Sequence, residues 1–220
     1  MKEKIHFLID VSSSMNTIIR TVCENISSTV EPLSADTLIS LSTFSNDVNL
    51  DYEETPKCLF NTPKLRTGGR TALYDSIVRI MSHETQMHST GDEERRVTVI
   101  ILTDGINTYG TKTYTDANES ICEAKSKNVS IKFLGANQDA IATAAILGVD
   151  EGDALTYSAD EFHVAEAFRG LSDVIVRRIE TGEEQHFSLA QRTASAGPTV
   201  LAHESYPLPP PIRRASDLIS

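Results

Sequence analysis

Apolar residues in this chain are arranged in two ways, as short continuous runs and as longer segments in which they recur every third or fourth position. Residues 5–9 and 97–102 form almost wholly apolar runs, which are typical of strands buried on both faces of a parallel sheet. After the first run, apolar residues recur at every fourth position, which predicts an amphipathic helix ending at Pro32. The residues of that helical face are Ile18, Val22, Ile26 and Val30.

The rest of the chain continues this alternation as far as about residue 180. A strand over 37–45 is predicted to form a hairpin with a half-exposed edge strand over 48–52, and residues 53–70 are predicted to form a long loop. Further helices are predicted from residue 73 and at 114–127, 140–147 and 162–179, and further strands at 129–133 and 154–157.

Strands that alternate with helices predict an α/β fold. We expect a doubly wound, Rossmann-like and mostly parallel sheet of six strands in the order 3-2-1-4-5-6, with the 48–52 strand antiparallel at one edge and helices on both faces. Residues 181–220 are rich in Ala, Ser, Thr and Pro and have no apolar period. We therefore interpret them as a disordered tail that follows a single domain over 1–180.

The charge and the cysteines of the chain exclude several classes of function. A formal net charge of −11 gives an acidic surface that repels phosphate backbones and anionic lipids. Cys23, Cys58 and Cys122 are widely spaced and form no CxxC pair, which favours small buried side chains over disulfides. No apolar run approaches membrane-spanning length, and no signal-peptide cleavage pattern follows the first run. We expect a cytoplasmic protein that binds neither nucleic acid nor membranes.

Oxygen-bearing side chains follow two of the predicted strands and begin one of the predicted helices. The carboxyl ends of the strands form the binding crevice of an open α/β sheet, so these side chains are expected to meet at one edge. They are Asp10, Ser12 and Ser14 after the first strand, Thr71 at a helix start, and Asp104 after the strand over 97–102.

Two carboxylates and three hydroxyls suit a small hard cation, which points to Mg²⁺, with Mn²⁺ or Ca²⁺ as substitutes. Magnesium takes about six oxygen ligands and keeps water wherever the protein supplies too few. Because hydroxyls are neutral, they leave much of the charge of the ion uncompensated. An Asp or Glu of a partner protein could then complete its coordination.

Three motifs resemble the metal-ion-dependent adhesion site of von Willebrand factor A domains. They are Asp-x-Ser-x-Ser from Asp10, Gly-Gly-x-Thr-x-Leu-Tyr-Asp around Thr71, and Thr-Asp-Gly around Asp104, and their order and spacing match the family over residues 3–180. The resemblance implies a protein-binding module whose metal ligands are Asp10, Ser12, Ser14, Thr71 and Asp104. The segment over 133–139, with the later Leu147-Gly148, is similar to intracellular, largely microbial members.

Two residues depart from the pattern of that family. Ser13 stands where the family often has Gly, which could restrict the turn. Arg70 directly precedes Thr71, and it could form an ion pair with Asp75 or project toward an acidic partner. Asp75 itself is interpreted as a complement to the dipole of its helix rather than as a metal ligand.

Two alternatives to a metal-dependent binding module remain open. One is a metal-dependent phosphohydrolase of the haloacid-dehalogenase kind, with Asp10 as the nucleophile. That chemistry needs a second carboxylate two residues later as acid and base, where this chain has Ser12. The other alternative is a scaffold without metal, in which the ligand positions coincide by chance.

Two short motifs lie in the predicted tail. The run Pro209–Pro211 could bind an aromatic-lined groove as a polyproline helix, which would give the tail a partner of its own. Ser216 ends an Arg-Arg-Ala-Ser sequence that looks like a site for a basophilic kinase. Such motifs are frequent by chance, and a plain disordered tail accounts for both.

Overall fold

A six-stranded sheet forms the centre of the computed structural model, which describes residues 2–90, 95–136 and 140–197. The strands are β1 (Lys2–Asp10), β2 (Leu38–Phe44), β3 (Val48–Pro56), β4 (Arg95–Thr103), β5 (Val129–Ala136) and β6 (Ala154–Tyr157). The helices are α1 (Ile19–Val30), α2 (Leu73–Thr90), α3 (Tyr114–Ser126), α4 (Ala140–Leu147), α5 (Glu161–Thr181) and α6 (Leu189–Ser195).

The order of the strands is β3-β2-β1-β4-β5-β6, and only the β2–β3 pair is antiparallel. The predicted fold class, strand order and antiparallel edge strand are therefore confirmed. Strand β1 lies between β2 and β4, with Asp10 opposite Phe44 and Ile9 opposite Leu102. The carboxyl ends of β1 and β4 are consequently neighbours, as the site requires.

The sheet is covered on both faces because successive strand residues point to opposite sides. Phe7 and Ile9 of β1 pack in a core layer with α1 and α5, whereas Leu8 packs in a second layer with α2 and α3. The wholly apolar runs of β1 and β4 in the sequence reflect this burial on two sides.

Strand β3 continues to Pro56, so the predicted loop over 53–70 begins too early. The reason is an irregular pairing with β2 that places Glu54 in the left-handed region, at φ 42°, where its backbone N–H donates to Ser40 Oγ at 3.0 Å. The Glu54 carboxylate pairs with Lys4 Nζ at 3.1 Å and Arg95 Nη1 at 2.6 Å. The irregularity thus brings a charged residue of the edge strand inward, onto β1 and β4.

The prediction of disorder from residue 181 is wrong for residues 182–197, which pack on the domain. Phe187 is 5% exposed and belongs to the core layer of α1 and α5. Helix α6 begins at a capping box of Ser188 with Gln191 and packs against α5 and β6. At its end the Ser195 hydroxyl donates to the carbonyl of Thr156, and the Ser158 N–H donates to the Ser195 carbonyl. A helix this short shows no apolar period, so the sequence pattern does not reveal it.

A buried ion-pair network holds the start of this C-terminal segment. Lys132 of β5 is 0% exposed, and its Nζ lies 2.5 Å from Asp153 Oδ1 and 2.7 Å from Glu184 Oε1. It also donates to the Gln185 carbonyl at 2.5 Å. The proline run Pro209–Pro211, Ser216 and positions 137–139 of the segment with family resemblance lie outside the described residues.

The cysteines are free, but the expectation that they are buried is wrong for Cys58 and Cys122, which are exposed; Cys23 is half-buried. The apolar pattern of a sequence extends over several residues, so it does not show whether a single cysteine is buried or exposed. Within the described part of the chain, no helix is both long enough and apolar enough to cross a membrane.

Candidate metal centre

Asp10 and Asp104 occupy equivalent places at the ends of neighbouring strands. Asp10 is the last residue of β1, and Asp104 directly follows β4. Asp10 is 0% exposed, while Asp104 is half-buried. Two carboxylates therefore approach the same edge of the sheet from adjacent strands, and one of them lies entirely below the surface.

The loop after β1 joins these carboxylates through two hydroxyls. The Ser12 N–H donates to Asp10 Oδ1 at 2.7 Å, and the Ser12 and Ser14 hydroxyl oxygens lie 3.1 Å apart. The Ser14 hydroxyl donates to Asp104 Oδ1 at 2.7 Å. The structure thus brings four of the predicted ligands into one hydrogen-bonded group.

Thr71, the fifth predicted ligand, arrives from the loop before α2. A Cβ atom on Gly105, next to Asp104, would lie 3.5 Å from Thr71 Oγ1. The loop is fixed at Gly69, whose carbonyl accepts from the Ser13 N–H at 3.2 Å and the Ser13 hydroxyl at 3.1 Å. Gly69 has φ 82°, a conformation that favours glycine, and this turn is needed to bring its carbonyl to Ser13.

Ser13, the first departure from the family pattern, is accommodated without strain. It does not have a positive φ, so a glycine is not required there. Its hydroxyl and its N–H both bind Gly69, which ties the Ser-rich loop to the loop that carries Thr71.

The two carboxylates are electrostatically unsatisfied by the protein alone. Burial raises the pKa of Asp10, and hydrogen bonds from Thr103 and Ser12 oppose that rise, while the charge of Asp104 adds to it. Burial also raises the pKa of Asp104, against the hydrogen bond from Ser14. A cation between them would offset the cost of holding both carboxylates ionised and close together.

The donor set fits a hard divalent cation. It consists of carboxylate and hydroxyl oxygens, each of which keeps a lone pair beside the hydrogen bonds just described. Across the described ranges, no cluster of three or more His, Cys, Asp or Glu side chains could hold a metal. A metal at this edge would therefore depend on Ser12, Ser14 and Thr71 and not on carboxylates alone.

Two further residues contribute to the site and were not singled out from the sequence. The Thr103 hydroxyl donates to Asp10 Oδ2 at 2.6 Å. Its place directly before Asp104 in the sequence could have indicated a role in the site. Tyr157, at the end of β6, is 0% exposed, and its hydroxyl has no partner among the described residues. Burial raises the pKa of Tyr157, and the charges of Asp104 and Asp10 add to the rise.

The loop over 105–113 is held against the start of α2 by polar contacts. The Thr71 N–H donates to Thr108 Oγ1 at 3.1 Å, and the Tyr74 N–H donates to Asn107 Oδ1 at 3.1 Å. Asp75 accepts from the N–H groups of Thr111 and Lys112, which lowers its pKa despite the opposing effect of burial. Asp75 therefore anchors this loop.

Arg70, the second departure from the family pattern, does not pair with Asp75. Its guanidinium carbon lies 4.0 Å from the centre of the Tyr109 ring, a cation–π arrangement. Its backbone N–H donates to Asn46 Oδ1 at 2.8 Å. The side chain is exposed beside the candidate ligand Thr71.

Several solved structures share this fold. The ArnB paralog VWA2 from Sulfolobus acidocaldarius is 23% identical with a TM-score of 0.60, covering 79% of this chain and 45% of that one. A von Willebrand factor type A protein from Catenulispora acidiphila is 17% identical with a TM-score of 0.61, covering 79% and 42%. Proximal thread matrix protein 1 from the mussel byssus, with a zinc-occupied MIDAS motif, is 18% identical with a TM-score of 0.57, covering 82% and 46%. The chain thus spans less than half the length of each.

Sequence comparison identifies the family. No curated protein matches the chain. The family model of the von Willebrand factor type A domain matches residues 4–170, which is most of the chain. Together with the strand order and the fold of its structural neighbours, this match shows that the chain belongs to the von Willebrand factor type A domain family.

Proposed function

We propose that the chain is a metal-dependent protein-binding module and not an enzyme. A Mg²⁺ ion would be held by Asp10, Ser12, Ser14, Thr71 and Asp104, and an Asp or Glu of a partner protein would complete its coordination. Domains of this family are typically metal-dependent interaction modules, which agrees with the proposal at the level of the family.

The observation that carries the proposal is the hydrogen-bonded group that joins the two strand ends. The Ser14 hydroxyl lies 2.7 Å from Asp104 Oδ1 and 3.1 Å from the Ser12 hydroxyl, so oxygens from two loops already converge on one small volume. The fully buried Asp10 has both carboxylate oxygens occupied, by Ser12 N–H and Thr103 Oγ1. Such an arrangement supports Asp10 as a buried negative charge that would stabilise the ion, while the Ser12, Ser14 and Thr71 hydroxyls would supply neutral ligand oxygens.

Mg²⁺ is the cation that these ligands favour. Zinc in proteins is usually bound by Cys and His, whereas an all-oxygen set suits Mg²⁺, Mn²⁺ or Ca²⁺. The mussel protein with a zinc-occupied MIDAS supports a divalent ion at the corresponding place. When bound, the ion would supply a positive charge that attracts a carboxylate, and the protein residues would hold the ion in place.

The phosphohydrolase alternative is disfavoured by the surroundings of Asp10. A nucleophilic carboxylate needs an oxygen that can reach the substrate, and Asp10 is 0% exposed with hydrogen bonds on both oxygens. The position of its acid–base partner is taken by Ser12, whose hydroxyl does not titrate in the relevant range. We therefore assign Asp10 an electrostatic role.

A cytoplasmic location belongs to the same proposal. Cys58 and Cys122 are exposed and free, and a reducing compartment keeps such thiols unpaired. The acidic net charge of −11 supports protein partners over nucleic acid and anionic membranes.

Thermal unfolding in Mg²⁺ and in chelator tests the metal site. A ligand that binds only the folded state raises the melting temperature by mass action, so we expect a rise with Mg²⁺ in the wild type. Ser14→Ala should reduce that rise because it removes one ligand oxygen. The matched control is Ser13→Ala, which removes the neighbouring hydroxyl that binds Gly69 O and should keep the response to Mg²⁺. An equal response in both variants would refute the ligand assignment.

Partner capture tests the function itself. Proteins retained by the wild type in Mg²⁺, released by chelator and not retained by Asp104→Ala are the expected result. Retention that is the same in all three conditions would remove the metal from the function while leaving the fold intact.

A further inference from the structure

The edge of the sheet that carries the candidate metal centre also presents an exposed cation. Arg70 precedes Thr71 directly, and the Tyr109 ring lies under its guanidinium at 4.0 Å. Among the residues that the structure describes, none forms an ion pair with the Arg70 side chain. An exposed guanidinium that stacks on an aromatic ring keeps all of its N–H donors free for an incoming carboxylate.

Hydrogen bonds hold the backbone on both sides of this stacked pair. The N–H groups of Thr108 and Tyr109 both donate to the Thr71 carbonyl, at 2.9 and 3.1 Å. Asp75 holds the far end of the same loop, through Thr111. The backbone of Tyr109 is therefore tied to the residue next to Arg70, which keeps the two stacked side chains on adjoining backbone segments.

The adjoining surface adds two cations and an apolar residue. Lys64 and Arg66 line a shallow groove beside Gly68, which Asp51 also lines, and the described residues offer neither cation an ion pair. Ile106, two positions after Asp104, is 69% exposed. The part of the chain that the structure describes thus places three cations without ion pairs, and an exposed isoleucine, near one site of a protein whose net charge is −11.

We propose that the partner is an acidic protein segment that presents two carboxylates a few residues apart, one to the metal and one to Arg70. This inference rests on the proposed function. Because Arg70 and Thr71 are adjacent, with Cα atoms about 3.8 Å apart, an extended segment of a few residues is long enough to reach both side chains. The exposed Ile106 favours a protein segment over a nucleic acid, whose phosphates would leave that side chain unmatched.

Arg70 would act as a selectivity element. A single carboxylate binds the ion whichever segment carries it, whereas a second carboxylate gains a bidentate, charge-assisted contact only from the correct segment. The negative charge of the rest of the surface repels acidic segments that do not engage both positive groups.

The test uses three synthetic peptides that share a Gly/Ser background, measured with the full chain by NMR amide-shift titration in Mg²⁺ and in chelator. One peptide carries a single Asp, one carries two Asp residues two positions apart, and one carries an Asp and a Lys at those positions. We expect the two-Asp peptide to bind the wild type more tightly than the single-Asp peptide, by up to about fivefold. The Asp–Lys peptide should bind least tightly.

Arg70→Glu should reverse this order, so that the Asp–Lys peptide binds most tightly. Arg177→Glu is the matched control because it makes the same charge change on an exposed residue of α5, and it should leave the order unchanged. The inference is overturned if Arg70→Glu and Arg177→Glu act alike, or if a single-stranded oligonucleotide binds the wild type and is lost only in Arg70→Glu. Absence of Mg²⁺-dependent binding by every peptide would instead refute the proposed function on which the inference rests.

Discussion

The two ends of the sheet differ in whether their buried charged side chains have ion-pair partners. At the amino ends of the strands, charges are buried in matched sets: Lys4 Nζ lies 2.9 Å from Glu84 Oε2, and His6 Nδ1 lies 2.6 Å from Glu84 Oε1. At the carboxyl ends, Asp10 and Asp104 are partly or fully buried with hydroxyls and N–H groups as their partners, and neither forms an ion pair within the described residues.

This difference separates structural charges from functional ones. Burial opposes ionisation of Glu84, but hydrogen bonds from His6 and His83 and the charge of Lys4 outweigh it and hold its pKa well below the ordinary value. Burial instead raises the pKa of both Asp10 and Asp104, because no cation of the protein compensates them. At the amino end, side chains of the protein itself compensate the buried carboxylate. At the carboxyl end, a positive charge from outside the chain is needed to compensate Asp10 and Asp104.

Breaking a second buried charge network, that of Lys132 with Asp153 and Glu184, should have the largest effect. Lys132→Met removes the cation between Asp153 and Glu184 and leaves the buried Asp153 carboxylate with the exposed His186 as its remaining ion-pair partner among the described residues. We expect a loss of about 3 to 5 kcal/mol in the free energy of unfolding, measured with denaturant. Lys125→Met is the control, since its pair with Asp150 is largely exposed and should contribute less than about 1 kcal/mol. Equal losses would mean that the buried network contributes no more to stability than the exposed ion pair.

Residues 182–197 should contribute to the stability of the domain. Phe187→Ala removes a ring that is 5% exposed in the core, and should cost about 3 kcal/mol in the free energy of unfolding. Leu189→Ala, two residues away, is a matched control because that side chain is 81% exposed, and its effect should be small. If both variants unfolded like the wild type, the packing of residues 182–197 would be unimportant for stability.

Acid should destabilise the amino end of the sheet. Burial lowers the pKa of His6 from 6.5, and the pKa of Glu84 is lowered from 4.5, so in each case the unfolded chain binds the proton more readily than the folded one. Stability should therefore fall as the pH drops through these values. His83, whose pKa is raised from 6.5, opposes this near neutrality by adding stability below 6.5 that is lost as the pH rises.

The net loss should consequently be steepest below a pH of about 4.5, where the carboxylates dominate. Denaturant unfolding of the wild type and of Glu84→Gln across this range provides the measurement. The curve of Glu84→Gln should be flatter below the unfolded-state pKa of 4.5. Parallel curves for the two proteins would contradict the assignment.

At the carboxyl end, the same kind of substitution should have little effect on stability. Burial raises the pKa of Asp104, which means that the folded protein does not favour its charged form. Without metal, Asp104→Asn should therefore keep the free energy of unfolding within about 0.5 kcal/mol of the wild type. With Mg²⁺ the variant should lose the rise in melting temperature. A strong destabilisation in chelator would show that Asp104 is a structural residue.

Tyr157→Phe should have the smallest effect. Its hydroxyl is buried without a partner in the part of the chain that the structure describes, so its removal should be neutral or raise stability by a few tenths of a kcal/mol. Thermal unfolding in chelator checks this. A loss of more than about 1 kcal/mol would reveal a hydrogen bond, direct or through water, to the neighbouring carboxylates.

Much of the fold follows from the sequence because burial on two sides leaves a continuous apolar signal. The runs in β1 and β4 mark the centre of the sheet, and the half-exposed pattern from Val48 marks its antiparallel edge. The end of β3 was missed because the inward position of Glu54 depends on Lys4 and Arg95, which are distant in sequence. Periodicity reports burial and does not report such long-range pairing.

In the candidate site, too, local motifs could be recognised from the sequence, whereas contacts between distant residues could not. Short motifs identify Asp10, Ser12 and Ser14, and the structure places them within hydrogen-bonding reach of one another or of Asp104. The role of Asp75 could not be predicted, since its partners lie 36 and 37 positions later in the loop after β4. The composition of residues 181–220 predicts disorder, but Lys132 and the core position of Phe187 order its first part.

Helix α6 has a consequence for how copies of the chain behave at high concentration. Strand β6 has only four residues and forms the outer edge of the sheet, and Ser195 occupies backbone groups of Thr156 and Ser158 there. The opposite edge is protected differently, by the inward charge of Glu54. A chain shortened to residue 181, where α5 ends, would leave one edge free to pair with the same edge of another copy. We expect such a fragment to aggregate in proportion to its concentration, although its metal ligands would all remain.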